Sequence, residues 1–299
     1  MCETCGCGKP GEFTIHDPNQ AHDHEHSSDH KHDHEHSNDH VHDHDHPHDH
    51  EHDPWHSHEH DHDHGHSHGS SHDQSQKRLI DLNLDILSEN NRLAQLNRRF
   101  FEGRKVLCLN LVSSPGSGKT TILEKTIIAL KHSCKMFVIE GDQQTLLDAN
   151  RIEKAGSRAV QINTGSGCHL DARMIESALK KLDIDSSSIL FVENVGNLVC
   201  PAMFDLGEHK RVVVISVTEG DDKPLKYPNM FMTSHLCLIN KSDLLPWVDF
   251  NIEETIKHAR SMNPGLEFIV VSAKTGEGMN LWFEWLSKQA ESIISPLKL

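Results

Sequence analysis

The apolar positions of this chain follow two patterns. In some short runs nearly every residue is apolar, and between these runs lie stretches in which apolar residues recur every three or four positions. The runs predict strands covered on both faces, and the stretches predict amphipathic helices. The predicted strands span residues 106–112, 135–140, 188–192, 211–217, 235–239 and 267–271. Their alternation with helices predicts an α/β fold with a mostly parallel central sheet flanked by helices.

A helical pattern also precedes the first predicted strand. Residues 78–101, RLIDLNLDILSENNRLAQLNRRFF, carry apolar side chains at helical spacing. They predict an amphipathic helix that leads into the sheet. We therefore assign one α/β domain to residues 77–299.

Few apolar residues occur between residues 9 and 76, where histidine–acid dipeptides repeat. Residues 1–73 hold 23 of the 28 histidines, and their two lysines and 18 acidic residues account for the whole net charge of −16. Such a segment buries too little surface to offset the entropy of ordering, so we expect residues 9–76 to be a disordered tail. The acidic tail and the absence of a basic stripe argue against nucleic acid and membrane partners.

The histidines of the tail are good ligands for nickel, zinc or copper, and His-x-His spacing places donors within chelating reach. Because the repeat offers many equivalent arrangements, metal storage or buffering fits better than one defined site. The alternative is a solvating tail with incidental metal affinity.

A cysteine cluster, MCETCGCG, opens the chain. Cys2, Cys5 and Cys7 are three soft donors within six residues and predict a metal motif in residues 1–8. The alternative is a redox dithiol, although no thioredoxin-like pattern surrounds it. Without a secretory signal or a spanning apolar run, we expect a cytoplasmic protein with reduced thiols.

A phosphate-binding loop follows the first predicted strand. SSPGSGKTT lies between that strand and a helix, as a P-loop requires, although Ser113 replaces the usual first glycine. Backbone amides of the loop would meet the phosphates, Lys119 would neutralise them, and Thr120 would ligate Mg²⁺. The predicted P-loop NTPase domain thus binds nucleotide through Gly116, Ser117, Gly118, Lys119, Thr120 and Thr121.

Two later motifs predict that the base is guanine. In LINKSD, Asp243 can accept hydrogen bonds from guanine N1 and N2, Asn240 can hold the loop and reach the purine edge, and the Lys241 stem can cover the ring. In VSAKTG, the Ala273 amide could meet guanine O6 and Lys274 could pack on the base. With Ser272, these residues complete the predicted GTP/GDP site.

Acidic residues end two further predicted strands. We favour Asp142 as the group that holds Mg²⁺ or orients water, and Glu193 with Gly196 as the second contact. Together with Lys119, the two carboxylates are the predicted catalytic residues. The alternative is that Glu140 or Glu193 merely ends its strand.

GSGCHLDA places Cys168 beside His169 after a glycine-rich turn. The pair could reflect packing, a nucleophile with its base, or half of a metal site. Neighbouring residues on one backbone rarely face each other productively, which disfavours the nucleophile–base reading.

Several of these motifs together resemble the HypB family of hydrogenase nickel incorporation GTPases. They are CETCGCG, the histidine-rich insert, SSPGSGKTT, EGDQQT, NTGSGCHLDA, ENVGNLVCP, NKSD and SAKTGEGM. The resemblance implies a signal-recognition-particle-like P-loop fold, a homodimer favoured by GTP, and a metal site of Cys168, His169 and Cys200 near the switch regions. It also implies a nickel chaperone partner and the hydrogenase large subunit as partners. Two thiols and an imidazole suit Ni²⁺ or Zn²⁺.

The expected function is therefore a GTP-hydrolysing nickel metallochaperone whose metal release is gated by nucleotide state and dimerisation. One alternative is a nickel storage or detoxification protein with a regulatory GTPase. Another is a urease chaperone like UreG, whose Cys-Pro-His motif differs from Cys168-His169 in this chain.

Overall fold

A computed structural model of the chain describes residues 13–18, 71–142 and 147–294, with the backbone alone over residues 71–83. Cys2, Cys5, Cys7 and most of the predicted histidine-rich segment lie outside the described residues. The proposed domain limits therefore stay predictions.

Eight strands of the described residues form one sheet, in the order β1-β4-β3-β5-β2-β6-β7-β8. All neighbours are parallel except β1, which pairs antiparallel with β4 at the edge. The strands are β1 (Thr14–His16), β2 (Val106–Ser113), β3 (Met136–Asp142), β4 (Arg158–Asn163), β5 (Ser188–Glu193), β6 (Lys210–Ser216), β7 (Leu236–Asn240) and β8 (Glu267–Val270).

Helices cover both faces of the sheet. The α-helices are α1 (Ser71–Arg104), α2 (Lys119–Leu130), α3 (Leu147–Ala155), α4 (Ala172–Leu182), α5 (Lys223–Lys226), α6 (Pro228–Met232), α7 (Ile252–Met262) and α8 (Met279–Glu291). Two 3₁₀ turns, Cys200–Ala202 and Ser242–Trp247, follow β5 and β7. Among the described helices, no segment is both long and apolar enough to span a bilayer.

The alternation of side chains along β2 divides the core. Leu107, Leu109 and Leu111 point to the face covered by α2, α3 and α8. Val106 and Cys108 point to the opposite face, which is covered by α1 and α4. Because both faces are buried, the strand is apolar at nearly every position, which is the pattern that predicts it.

The predicted α/β fold with a mostly parallel sheet is confirmed, and so are the six predicted strands, to within two residues at each end. The predicted lead-in helix 78–101 lies within α1. The sequence analysis missed β4 and β1. Strand β4 reads RAVQIN, where polar residues interrupt the apolar run, and β1 is only three residues long at the sheet edge.

Candidate nucleotide and metal site

The phosphate-binding loop runs from the end of β2 into the first turn of α2. Gly118 has a φ of 99°, and a side chain there would collide with the amide of Asn240. Glycine is therefore needed for both the backbone conformation and the close approach. The Lys119 ammonium donates a 2.7 Å hydrogen bond to Ser113 Oγ, so the residue that departs from the usual P-loop pattern holds the phosphate-binding lysine.

A carboxylate lies behind this loop at the end of β5. Glu193 Oε1 accepts a 2.8 Å hydrogen bond from Thr120 Oγ1 and lies 3.9 Å from the Lys119 ammonium. Gly196 brings the turn after β5 against the loop, because a Cβ on it would lie 3.0 Å from Pro115. The structure thus places Glu193 and Gly196 beside the P-loop, and their predicted role as the second contact stays a prediction.

Glu193 and Glu140 stand in register on the adjacent strands β5 and β3. Burial and the neighbouring Glu193 raise the pKa of Glu140 well above its ordinary value. Burial also raises the pKa of Glu193, against the opposing influence of Lys119 and Thr120. Among the described residues, Glu140 Oε1 and Glu193 Oε2 are buried without a hydrogen-bond partner. Two such oxygens beside a threonine hydroxyl fit a hard divalent cation such as Mg²⁺.

The two guanine motifs are joined by hydrogen bonds. Asn240 donates 2.8 Å to the Ser117 carbonyl and accepts 3.1 Å from the Ala273 amide, so its side chain ties both motifs to the P-loop. Ser272 Oγ donates 2.6 Å to Asp243 Oδ1 and thereby orients that carboxylate. The structure therefore gives Asn240 the role of holding the P-loop. The Ala273 amide, which the sequence predicts to meet guanine O6, donates to Asn240 in the structure. Lys274 is exposed and Lys241 is partly exposed.

The loop after β6 supports the P-loop from the side, which the sequence analysis missed. Glu219 Oε1 accepts a 2.5 Å hydrogen bond from Ser117 Oγ, and the Lys223 ammonium donates 3.1 Å to Ser114 Oγ. Glu219 and Lys223 also form a 3.3 Å ion pair. Their spacing of four residues is a weak signal, because surface helices show the same pattern.

Three side chains that could ligate a metal ion, Cys168, His169 and Cys200, lie close together. The sulfur of Cys168 lies 3.0 Å from the sulfur of Cys200 and 3.8 Å from His169 Nδ1. One ligand atom from each residue lies within 4.8 Å of the others. We call these three residues the metal cluster. Two thiols and an imidazole at this spacing suit a borderline cation such as Ni²⁺ or Zn²⁺.

His169 is buried and packs against an aromatic ring. Its imidazole stacks on Phe204 with ring centroids 4.0 Å apart. Burial lowers the pKa of His169, although the Asp171 carboxylate opposes this. A lowered pKa keeps the imidazole neutral and able to bind a metal ion at neutral pH.

The metal cluster and the P-loop border one cavity of about 520 Å³. Its wall includes Cys168 together with Gly116, Gly118, Lys119, Thr120, Thr121, Asp142, Glu193 and Gly196. Arg151, which pairs with Glu124 and Asp148, also reaches it. Most predicted phosphate-side residues are thus brought together with one metal-cluster thiol.

Comparisons with known proteins identify the family of the domain that contains these residues. Residues 107–270 match the family described as CobW/HypB/UreG, nucleotide-binding domain. Hydrogenase maturation factor HypB of Escherichia coli (strain K12) is 58% identical over 215 residues, which span 72% of this chain and 74% of that protein. Hydrogenase/urease maturation factor HypB of Helicobacter hepaticus is 42% identical over 207 residues, which span 68% of this chain and 85% of that protein.

Two solved structures share the fold. Hydrogenase maturation factor HypB from Archaeoglobus fulgidus superposes with a TM-score of 0.64 at 40% identity, covering 68% of this chain and 99% of that one. HypB from Helicobacter pylori in complex with nickel superposes with a TM-score of 0.65 at 38% identity, covering 71% of this chain and all of that one. With its P-loop, its α/β fold and these relatives, the chain belongs to the HypB family of hydrogenase maturation factors.

Proposed function

We propose that this protein hydrolyses GTP and uses the nucleotide cycle to hold and release nickel for the maturation of [NiFe] hydrogenase. The observation that carries the proposal is that Cys168, a member of the metal cluster, lines the same cavity as Lys119 and Thr120. A change in the occupant of the phosphate site can therefore reach a metal ligand without a long path.

The phosphate side of the cavity supplies the groups that GTP hydrolysis needs. Lys119 brings a positive charge to the β- and γ-phosphates, and the amides of the loop donate to their oxygens. Thr120 and the carboxylates of Glu193 and Asp142 would hold Mg²⁺, which when bound neutralises phosphate charge. Asp142 ends β3 on the wall of the cavity, where its carboxylate can orient a water molecule.

Selectivity for guanine follows from the second motif pair. The Asp243 carboxylate accepts hydrogen bonds from N1–H and N2–H₂ of guanine, which adenine cannot offer in that arrangement. Because Ser272 Oγ already bonds one of its oxygens, the carboxylate is oriented before the base enters.

Nickel is the cargo of the metal cluster, and Zn²⁺ can bind the same donors. Cys168 and His169 follow β4, whereas Cys200 lies seven residues beyond Glu193. The segment 193–200 therefore connects the phosphate site to a metal ligand. A rearrangement of this segment on loss of the γ-phosphate would move the Cys200 thiol and open the cluster.

A homodimer favoured by GTP would complete the site. Val199 and Met203, which flank the turn at Cys200, are 54% and 39% exposed and offer an apolar surface next to the cluster. A second copy docked there could add a fourth ligand to the ion. Further partners are a nickel chaperone and the hydrogenase large subunit, and the name of the Helicobacter hepaticus relative makes a urease precursor the competitor to test.

The test is an anaerobic Ni²⁺ titration of the full chain in GDP and then in a non-hydrolysable GTP analogue, followed by thiolate–nickel absorbance. We expect the nickel affinity to differ at least several-fold between the two nucleotide states. The variant Cys200→Ala removes this difference between the two nucleotide states, whereas Cys134→Ala, which removes a thiol at a helix–strand turn outside the cluster, retains it.

Equal nickel affinity in both states would uncouple the ion from the GTP cycle. The alternative of a nickel storage protein would then be favoured, with the storage function in the histidine-rich tail. A nucleotide-dependent difference in nickel affinity that survives Cys200→Ala would place the responsive nickel site elsewhere in the chain.

A further inference from the structure

Behind the metal cluster lies a set of four polar side chains that we call the polar chain: Asn194, Asn110, Glu208 and Arg211. Asn110 is fully buried, Asn194 is 1% exposed and Arg211 is 6% exposed. The Glu208 side chain is also 6% exposed. Asn194 directly follows β5, Asn110 lies in β2, and Glu208 and Arg211 lie before and within β6, so only the folded sheet brings them together.

One end of the polar chain holds the loop of His169. Asn194 Oδ1 accepts the amide of Leu170 at 3.2 Å and the amide of Val195 at 3.0 Å. The same side chain donates 3.3 Å to Asn110 Oδ1. One amide group thus fixes the residue after His169 and the start of the segment that leads to Cys200.

The middle of the polar chain runs from β2 to Glu208 and to Arg211 of the neighbouring strand β6. Asn110 Nδ2 donates 3.1 Å to Glu208 Oε1, which also accepts two hydrogen bonds from the Arg211 guanidinium at 2.7 and 3.0 Å. Glu208 Oε2 accepts the amide of Leu206 at 2.8 Å. Both carboxylate oxygens are therefore satisfied, as a buried charge requires.

The other end holds the segment after Cys200. Arg211 donates 3.2 Å to the carbonyl of Ala202 and 2.9 Å to the carbonyl of Phe204. The Phe204 ring stacks on His169. Starting from the loop of His169, the contacts therefore pass through the polar chain and return to the imidazole of His169.

A buried ion pair with two buried amides is a weak source of stability, because well-packed apolar residues of similar volume often serve as well or better. The polar chain instead offers directional contacts to backbone groups within two residues of each ligand, those of Leu170 and Ala202. Outer groups of this kind fix ligand orientation in metal sites, and their loss typically weakens metal binding about 10- to 100-fold.

We propose that the polar chain positions the metal cluster, with Asn194 setting the loop of Cys168 and His169 and Arg211 setting the segment of Cys200. Asn194 follows Glu193 directly and lines the shared cavity. The residue that positions the loop of Cys168 and His169 therefore also lies at the phosphate site. The inference rests on the proposed nickel function, because it concerns the same cluster.

The experiment compares nickel binding by the full chain with that of Asn194→Ala and Arg211→Lys, anaerobically and without nucleotide. Arg211→Lys keeps the positive charge beside Glu208 but loses the planar fork that reaches two carbonyls. Asn263→Ala is the matched control, since its side-chain amide also donates to backbone carbonyls, those of Phe231 and Ser234, away from the cluster. Nucleotide affinity, measured with a fluorescent GDP analogue, reports whether each variant is folded.

Each of the two variants is expected to weaken nickel binding about 10- to 100-fold and to shift the thiolate–nickel absorption band. GDP affinity should stay within about threefold in Arg211→Lys, which does not line the shared cavity, and Asn263→Ala should match the unmodified chain. Because both variants act through one chain of contacts, the double variant should lose less than the product of the two single losses.

The positioning role would be overturned if both variants kept their nickel affinity and absorption while Cys200→Ala still removed nickel binding at the metal cluster. The proposed function would then stand. No cluster-dependent nickel signal in the unmodified chain would overturn both. If Asn194→Ala fails to bind GDP, Arg211→Lys decides the matter at the opposite end of the polar chain.

Discussion

The P-loop and the metal cluster border one cavity but are built in opposite ways. The P-loop is one contiguous stretch in which backbone amides do much of the binding, and glycines such as Gly118 set its shape. The metal cluster consists of three side chains from two loops, and Cys168 and Cys200 are 32 residues apart. The first kind of site can be recognised from one stretch of sequence, whereas the second depends on the contacts that hold its two loops together.

The largest effect that separates the two regions is expected from Lys119→Ala. Lys119 is buried against Ser113 and faces the phosphate side of the cavity, so its loss removes the fixed positive charge at the γ-phosphate. We expect the rate of GTP hydrolysis to fall about 100- to 1,000-fold. Nickel affinity without nucleotide should stay within about twofold, because no ligand or member of the polar chain is touched.

Phosphate release and nickel titration measure the two quantities on the same preparation. The control is Lys125→Ala, which removes an exposed lysine from the same helix, α2. A matching loss of nickel affinity in Lys119→Ala would show that the two regions are not separable in this way.

A smaller effect is expected from Asp243→Asn at the guanine motif. The carboxylate would be replaced by an amide that cannot accept both hydrogen bonds from guanine. With a charged hydrogen bond worth about 1.5–3 kcal/mol, GTP affinity should fall about 10- to 100-fold. Nickel affinity without nucleotide should not change, and the GTP analogue should shift it only at higher concentration.

Competition of GTP, XTP and ATP against a fluorescent nucleotide tests this, with the exposed Asp249→Asn as control. The carbonyl at position 2 of xanthine can accept from the new amide, so XTP should lose less affinity than GTP. Undiminished guanine preference in Asp243→Asn would remove this residue from base recognition.

The sequence predicted the P-loop well because its chemistry is local. SSPGSGKTT follows an apolar run and precedes a helix, and these neighbours in sequence are enough to identify it, although Asn240, Glu219 and Lys223 also hold the loop in the structure. The guanine motifs were predicted for the same reason, although the structure uses both ends of the Asn240 amide to tie them to the P-loop.

The metal cluster was predicted only in part from the residues themselves. The pair of Cys168 and His169 left packing, catalysis and metal binding open, and Cys200 entered through the family resemblance. No pattern in the sequence predicted the polar chain. Asn110 lies inside an apolar strand and Arg211 at the start of another, so only the register of β2, β5 and β6 shows that they meet. Contacts across a sheet have no fixed spacing along the sequence.

The smallest expected effect is a pH dependence of the free energy of unfolding that arises from His209. His209 follows Glu208 of the polar chain, and its Nδ1 accepts the Cys108 amide at 3.1 Å. Burial lowers the pKa of His209 below its ordinary value of 6.5. Between the two values the unfolded chain binds more protons, so the free energy of unfolding should rise with pH and level off above about pH 6.5.

In His209→Asn this rise should be shallower, because this partly buried imidazole no longer titrates. The contribution of one residue should shift Tm by no more than about 2–4 °C across the range, the change that about 1 kcal/mol produces in a domain of this size. Thermal unfolding from pH 5 to 7.5 measures it, and the exposed His132→Asn should follow the unmodified chain. Identical slopes in all three proteins would mean that protonation of His209 does not weaken its bond to β2. The free energy of unfolding would then not depend on the charge of that imidazole.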